Sequence, residues 1–251
     1  MTVRELYGML EARYPRALSA EWDHDGLQCS RNPDAPVHRV LAALDVTEAT
    51  VERAVAVGAD VILSHHPLLF RPVGEIVADV GVGGRIVRLL SEGISVMSFH
   101  TRADAAEGGV NDLLAEMLSL SEILPFGDGM GRIGVLSSPE PTEAFARRAA
   151  EALRAPTVAF GDAGHPVHRV AVLGGSGKSE VGAAIAAGAD TFLSGQLSYE
   201  LLNEAPELGI NLLEAGHFYT EAQLPRLWAK ELMSYGVEVE YFDSCRVRTI
   251  G

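Results

Sequence analysis

The chain has 251 residues, 47% of them hydrophobic and 22% charged, so it can bury a sizeable core and is not globally disordered. Its 34 acidic and 20 basic residues give a net charge of −14, which opposes binding to nucleic acids and to anionic membranes. The two cysteines are too few for a disulfide framework, and no apolar stretch suits a signal peptide or a membrane span; we expect a soluble, cytoplasmic protein.

Predicted helices and strands alternate along the chain. Thr2 and Glu5 have the spacing of a capping box, and Thr47 and Gly58 are residue types that begin and end helices. In chain order, the first half is predicted to contain a helix after Thr2, a strand over 38–44, a helix over 47–57, a strand over 61–64, a helix over 84–92, a strand over 94–99, a loop from His100 and a helix over 108–120. This alternation indicates α/β units around a largely parallel sheet.

The second half of the chain repeats the first. A shift of 130 positions aligns residues 38–64 with 168–194 without a gap, and 11 of the 27 positions are identical. The tripeptides HRV and GAD occur in both copies, which indicates a duplicated supersecondary unit. We therefore predict an α/β fold of two related halves, 1–124 and 125–251, with the Pro/Gly-rich stretch PFGDGMG as the linker. A C-terminal helix and strand can return to pack on the first half.

Histidine and acidic side chains follow the predicted strands at the ends where α/β proteins gather their sites. The candidates are His65 and His66 after strand 61–64, His100 and Asp104 after strand 94–99, and His217 and Glu221 after strand 210–214. Imidazole and carboxylate groups suit Zn, Fe, Mn, Co or Ni, and six candidates with two carboxylates fit two ions better than one. Each histidine alone could instead be a buried polar group with structural partners, but their coincidence at three strand ends favours a metal site.

Five stretches of the chain together resemble the Nif-three-like (NIF3-like) family, whose members are commonly labelled GTP cyclohydrolase 1 type 2 homologues. The stretches are WDHDGLQ at 22–28, SHHPLLF at 64–70, HTRAD at 100–104, GGSG at 174–177 and GHFYTE at 216–221. The resemblance implies two α/β domains with a dinuclear metal centre in the cleft between them. It also implies a homo-oligomer, a ring-shaped hexamer.

The same resemblance implies a role for each candidate ligand. The residues that match the metal ligands of the family are His65, His66, Asp104, His217 and Glu221. Glu221 would bridge two divalent metal ions, and His100 matches a position near them. Where the family usually has an acidic residue and then a histidine, this chain has Gln196 and Tyr199 nearby. Both can hydrogen-bond a substrate, but neither replaces a proton carrier near neutral pH.

These features predict a metal-dependent hydrolase whose metal-bound hydroxide attacks a nucleotide-like or phosphorylated small molecule. His100, Gln196 and Tyr199 could support that step. One alternative is a non-enzymatic ring-forming scaffold or metal-binding regulator. Gln196 and Tyr199, where the family usually has an acidic residue and a histidine, are what we would expect if catalysis had been lost. The other is a nucleic-acid-processing metalloenzyme, against which the negative charge counts.

Two further features have competing interpretations. GGSGKS at 174–179 stands between a strand and a helix like a phosphate loop, but Val172 replaces the first glycine of that pattern, and we favour a tight turn. Arg102, inside HTRAD, could neutralise a substrate phosphate or be a surface charge.

Overall fold

The computed structural model describes residues 1–78 and 80–248 and has the predicted α/β class. Its strands are β1 (Gly26–Cys29), β2 (Arg39–Ala43), β3 (Val61–Ser64), β4 (Ser95–Ser98), β5 (Ser121–Phe126), β6 (Gly131–Glu140), β7 (Ala159–Gly161), β8 (Val167–Ser176), β9 (Thr191–Gln196), β10 (Asn211–Glu214) and β11 (Glu238–Phe242). Its α-helices are α1 (Val3–Arg13), α2 (Glu48–Val57), α3 (Gly81–Glu92), α4 (Thr101–Ala105), α5 (Val110–Met117), α6 (Thr142–Leu153), α7 (Val181–Ala186), α8 (Tyr199–Asn203), α9 (Ala205–Leu208), α10 (His217–Glu221) and α11 (Gln223–Leu232). Short 3₁₀ helices span Arg16–Leu18, Lys178–Glu180 and Met233–Tyr235.

The chain forms two compact units. The first contains residues 1–106 and 224–246, and the second contains residues 107–223 and the chain from Val247. The sequence-based division at residue 124 falls inside the second unit. Within the described ranges, the helices are too short or too polar to cross a bilayer.

The first unit is built on a sheet with the strand order β1-β4-β3-β2-β11. The strands are parallel except that β1 runs antiparallel to β4. Thr47 caps α2 by accepting the backbone N–H of Thr50, and Gly58 ends it in the left-handed conformation, both as predicted. The stretch after His100, predicted as a loop, instead forms α4. Apolar side chains of the sheet, α2 and α3 pack into one core, so the carboxyl ends of β3 and β4 have a rigid support.

The second unit has a mixed sheet with the order β5-β6-β8-β9-β10-β7. Only its β8-β9-β10 part is parallel, so the prediction of a largely parallel sheet holds for the first unit and not for the second. The prediction that PFGDGMG is a linker is wrong: the stretch contains the end of β5, a turn over 127–130 and the first residue of β6, which runs antiparallel to β5. Gly127, Asp128 and Gly129 all have positive φ there, which explains the glycine content of the turn.

The duplicated segments have the same local structure. The four residue pairs that join β2 to β3 recur between β8 and β9 at positions higher by 130. In both copies, the Asp of GAD accepts the backbone N–H groups of the His and Arg of HRV. α4 and α10 occupy corresponding positions after the next strand of each copy. Asp104 on α4 and Glu221 on α10 therefore stand on equivalent parts of a repeated frame.

Candidate metal centre

Three predicted site histidines lie together in the first unit. His65 and His66 directly follow β3, and His100 follows β4, its parallel neighbour, so the sheet brings their side chains to one edge. Each residue offers one ring nitrogen, and the three nitrogens lie within 4.8 Å of one another. This group could hold a metal ion.

His65 is fully buried and has a fixed orientation. Its Nδ1–H donates to the carbonyl oxygen of Phe99 over 2.9 Å, and because a carbonyl can only accept, the lone pair is on Nε2. His65 Nε2 lies 3.5 Å from Oδ1 of Asp104 on α4. Two ligands at about 2.0–2.2 Å from one ion, at a tetrahedral angle, lie roughly 3.3–3.6 Å apart. The spacing of His65 and Asp104 fits a shared ion.

His66 is oriented by a carboxylate that our sequence analysis missed. Its Nδ1–H donates to Asp45 Oδ1 over 2.7 Å, and Asp45 Oδ2 accepts the hydroxyl of the buried Ser244 over 3.1 Å. Histidine ligands of metals almost always donate their second N–H in this way. Asp45 stands two residues after the end of β2, as His66 stands two residues after the end of β3, so the strand-end argument could have found it.

His100 is also held by a buried carboxylate. Its Nδ1 lies 3.1 Å from Asp23 Oδ2, and the same oxygen accepts the hydroxyl of Thr101 over 2.6 Å. Burial raises the pKa of Asp23, but the hydrogen bonds from His100 and Thr101 outweigh that effect and lower it to about 2. Asp23 is therefore a carboxylate at neutral pH and can hold the His100 ring in place.

Arg102 is neither a surface charge nor accessible to a substrate phosphate. It is fully buried, and it donates to Asp25 Oδ2 over 2.9 Å and to Glu11 Oε2 over 2.6 Å, with its guanidinium over the ring of Phe99. Burial lowers the pKa of Arg102, but its hydrogen bonds to Asp25 and Glu11 outweigh this and raise it above the ordinary value. Arg102 joins α4 to α1 and to the chain before β1.

The second unit contributes a histidine and a carboxylate at the two ends of α10. His217 Nε2 lies 3.0 Å from Oε2 of Glu221, which is buried. His217 Nδ1 lies 3.1 Å from Oε1 of Gln196, at the end of β9. Gln196, predicted as a possible support for catalysis, therefore orients His217. Tyr199 is 78% exposed at the start of α8.

Glycines make room for α10. A Cβ on Gly175 would overlap Glu221 Oε1, and one on Gly174 would lie 3.2 Å from Glu221 Cγ. A Cβ on Gly195, which follows Leu193 and Ser194 in β9, would lie 2.8 Å from the Cα of His217. Small residues at these positions let the candidate ligands approach β8 and β9 closely.

The backbone N–H groups of the GGSG stretch donate hydrogen bonds to other groups of the protein. The backbone N–H groups of Gly174, Gly175 and Gly177 donate to Asn111 Oδ1, Thr220 Oγ1 and the carbonyl of Gln196. A phosphate loop needs such groups for its ligand. The GGSG stretch is therefore not a phosphate loop. It is not simply the tight turn that we favoured either, because Gly174, Gly175 and Ser176 form the irregular end of β8 and only Gly177 follows the strand.

All four predicted site histidines share one arrangement. His65, His66, His100 and His217 each place Nδ1 on an oxygen acceptor of the protein: a backbone carbonyl, two aspartates and a glutamine. This fixes the ring that presents Nε2, the atom needed for a metal. The donor set of imidazoles and buried carboxylates fits a borderline divalent ion.

Comparison with known proteins gives one consistent family. The family model for Duf34/NIF3 (NGG1p interacting factor 3) matches residues 1–246. The chain is 36% identical over 241 residues to a Streptomyces coelicolor protein named GTP cyclohydrolase 1 type 2 homolog, covering 91% of this chain and 84% of that one. A Clostridium perfringens protein of the same name is 30% identical over 229 residues, covering 88% and 87%. The crystal structure of a Bacillus cereus protein related to NIF3 shares the fold, with a TM-score of 0.89 at 24% identity over 100% of this chain and 99% of that one.

Proposed function

This chain belongs to the Duf34/NIF3 family, and from that premise we propose that it is a metal-dependent hydrolase acting on a nucleotide-like or phosphorylated small molecule. The observation that carries the proposal is the arrangement that the ligand histidines His65, His66 and His217 share, each anchored through Nδ1 to a protein oxygen. A histidine that only fills a core does not need this arrangement, whereas metal ligands nearly always have it.

The proposed ligands come from both units. His65, His66 and Asp104 of the first unit and His217 and Glu221 of the second would hold two divalent ions, of Zn, Fe, Mn, Co or Ni. Such ions would lower the pKa of bound water toward about 7, so that hydroxide would be available near neutral pH. Because the ions supply this acidity, the chain does not need a strong base of its own.

His100 is the predicted residue best suited to carry a proton in this reaction. Its ring is held through Nδ1 by Asp23, and a charged carboxylate stabilises an imidazolium as it forms. His100 Nε2 would take the proton that the attacking water gives up and then pass it to the leaving group, which returns the ring to its neutral form. Gln196 is occupied by His217, and neither it nor the exposed Tyr199 can take this role.

The proposal is tested by assaying protein loaded with each of these metals against GTP and a panel of nucleotides and phosphodiesters. Turnover of at least one compound is expected, with loss of that turnover in His65→Ala and after chelation. Equal rates for wild type and His65→Ala would contradict the hydrolase proposal.

A second candidate is a metal-binding regulator without catalytic activity, which the neutral Gln196 beside His217 favours. It predicts bound metal without turnover of any compound in the panel. It further predicts a protein partner that is recovered with the metal-loaded chain and lost after chelation.

A further inference from the structure

Two large aromatic side chains of the first unit are exposed beside His100. Trp22 is 60% exposed and Phe70 is 52% exposed. Their ring centroids lie 6.0 Å apart, and those of Trp22 and Phe70 lie 6.0 Å and 5.9 Å from His100, with the rings close to perpendicular in each pair. Aromatic rings of this size are normally covered, and exposed apolar groups that cluster at a site mark a place where something binds.

The chain around Trp22 is firmly held although the ring itself is exposed. The next residue, Asp23, is 1% exposed and accepts hydrogen bonds from the hydroxyl and backbone N–H of Thr101. Arg16 donates to the Asp23 carbonyl over 2.6 Å. The backbone that presents Trp22 is thus ordered by its own contacts, so a ligand on the ring incurs little further ordering cost.

Phe70 has open space on another side. It lines a cavity of ≈ 610 Å³ together with residues 71–75 and the chain at 80–83. Trp22 and His100 are not among the residues that line it, so the cavity adjoins the aromatic pair at Phe70.

We propose that Trp22 and Phe70 form a subsite for a flat heteroaromatic ring of nucleobase type, which stacks on Trp22 and meets Phe70 at its edge. The inference rests on the proposed function, because His100 belongs to the same cluster as His65 and His66. Of the nucleotide-like and phosphorylated small molecules in the proposed substrate class, the subsite selects those that carry a planar ring. Alanine substitution of an aromatic residue that stacks on a base weakens binding roughly 5- to 150-fold.

The two tryptophans of the chain allow a direct binding measurement. Trp228 is fully buried and donates its Nε1–H to Tyr14, so it serves as the internal contrast to Trp22. In Zn-loaded Trp228→Phe protein, where Trp22 is the remaining tryptophan, the 5′-monophosphates of guanosine, adenosine and cytidine are titrated. Ribose 5-phosphate, which lacks the ring, is the control probe.

Saturable quenching of Trp22 emission by at least one nucleotide is expected, with no quenching by ribose 5-phosphate. Calorimetry should show binding of that nucleotide weakened about 5- to 150-fold in Trp22→Ala and in Phe70→Ala, and less in Trp22→Phe. Unchanged binding in the alanine variants would overturn the proposal, as would a lack of quenching by all three nucleotides.

Two readouts separate this proposal from its competitors. Metal content, measured in the same samples, tests the proposed function. A wild type that holds Zn but binds no nucleotide refutes the subsite alone. A wild type that holds neither Zn nor nucleotide refutes the metal centre as well. Light scattering tests a second copy of this chain as the occupant. If Trp22→Ala lowers the assembled mass and the wild type binds no nucleotide, the aromatic pair is an interface and the subsite is refuted.

Discussion

The two units carry the same strand frame but different chemistry at the end of it. After Leu-Ser in the first unit the chain continues with His65 and His66, whereas the corresponding positions of the second unit are Gly195 and Gln196. The imidazoles of the first unit are supported mainly by aspartates, and His217 of the second by a neutral amide. The repeated frame fixes where ligands can stand, and close packing of α10 requires glycine where the other copy has a ligand.

Removing a ligand from the first unit should reduce metal binding more than any other change considered. His65→Ala should lower metal affinity by more than the roughly 10–100-fold that loss of an outer partner costs, because it removes a buried donor nitrogen. Metal per chain is measured after purification without added metal. His168→Ala, at an exposed position of β8, is the matched control and should match wild type. Equal metal content in His65→Ala and His168→Ala would rule out His65 as a ligand.

The difference between the supporting groups can be measured by truncating each of them. Asp45→Ala removes a charge-assisted hydrogen bond and should weaken Zn binding about 10–100-fold. Gln196→Ala removes a neutral one and should cost about 2–10-fold. Gln196→Glu should raise the affinity above wild type, since a carboxylate makes the ring of His217 a better donor.

Competition with a chromophoric zinc chelator gives these affinities. Equal losses in Asp45→Ala and Gln196→Ala would show that the supporting groups of the two units are equivalent. A lowered affinity in Gln196→Glu would refute the idea that the neutral amide weakens the second unit as a metal holder.

Substitution of a glycine that makes room for α10 should have a weaker effect on metal binding than these changes. Gly175 has a φ of 67°, and an added Cβ would overlap Glu221, so Gly175→Ala should lower the free energy of unfolding by about 1–3 kcal/mol and weaken Zn binding. Gly182→Ala is the control: in the described part of the chain a Cβ there meets no atom within 4 Å, and Ala in α7 should add about 0.5–1 kcal/mol. Urea titrations with and without Zn measure both. A Gly175→Ala protein as stable as Gly182→Ala would contradict the steric argument.

Local signals in the sequence predicted most of the frame. The capped helix from Thr47 to Gly58, the strand over 61–64 and the repeated register all depend on residue types close together in the chain. The glycines of PFGDGMG led us to predict a linker where the structure has a hairpin turn. Both favour residues that tolerate positive φ. Pairing between β5 and β6 decides between them, and that pairing is not a local property.

The supporting residues of the candidate site were harder to predict than its ligands. Arg102 is buried because Glu11 and Asp25 meet it, and the sequence distance between these partners hides that contact. Asp45 depends in the same way on Ser244, 199 positions away. The two ions, the small-molecule substrate and the hexameric ring stay predictions of the family resemblance.

The return of residues 224–246 to the first unit affects the order in which the protein can be built. Residues 107–223, the main part of the second unit, leave the ribosome as one uninterrupted stretch and can fold before residues 224–246 are made. The first sheet is complete only after its edge strand β11 has been synthesised. Asp45 can accept the hydrogen bond of Ser244 only after that residue has been added. A nascent chain that stops short of residue 244 would already contain His65 and His66 but would lack the brace behind His66. His66 is thus encoded before His217 but gains its full support after it.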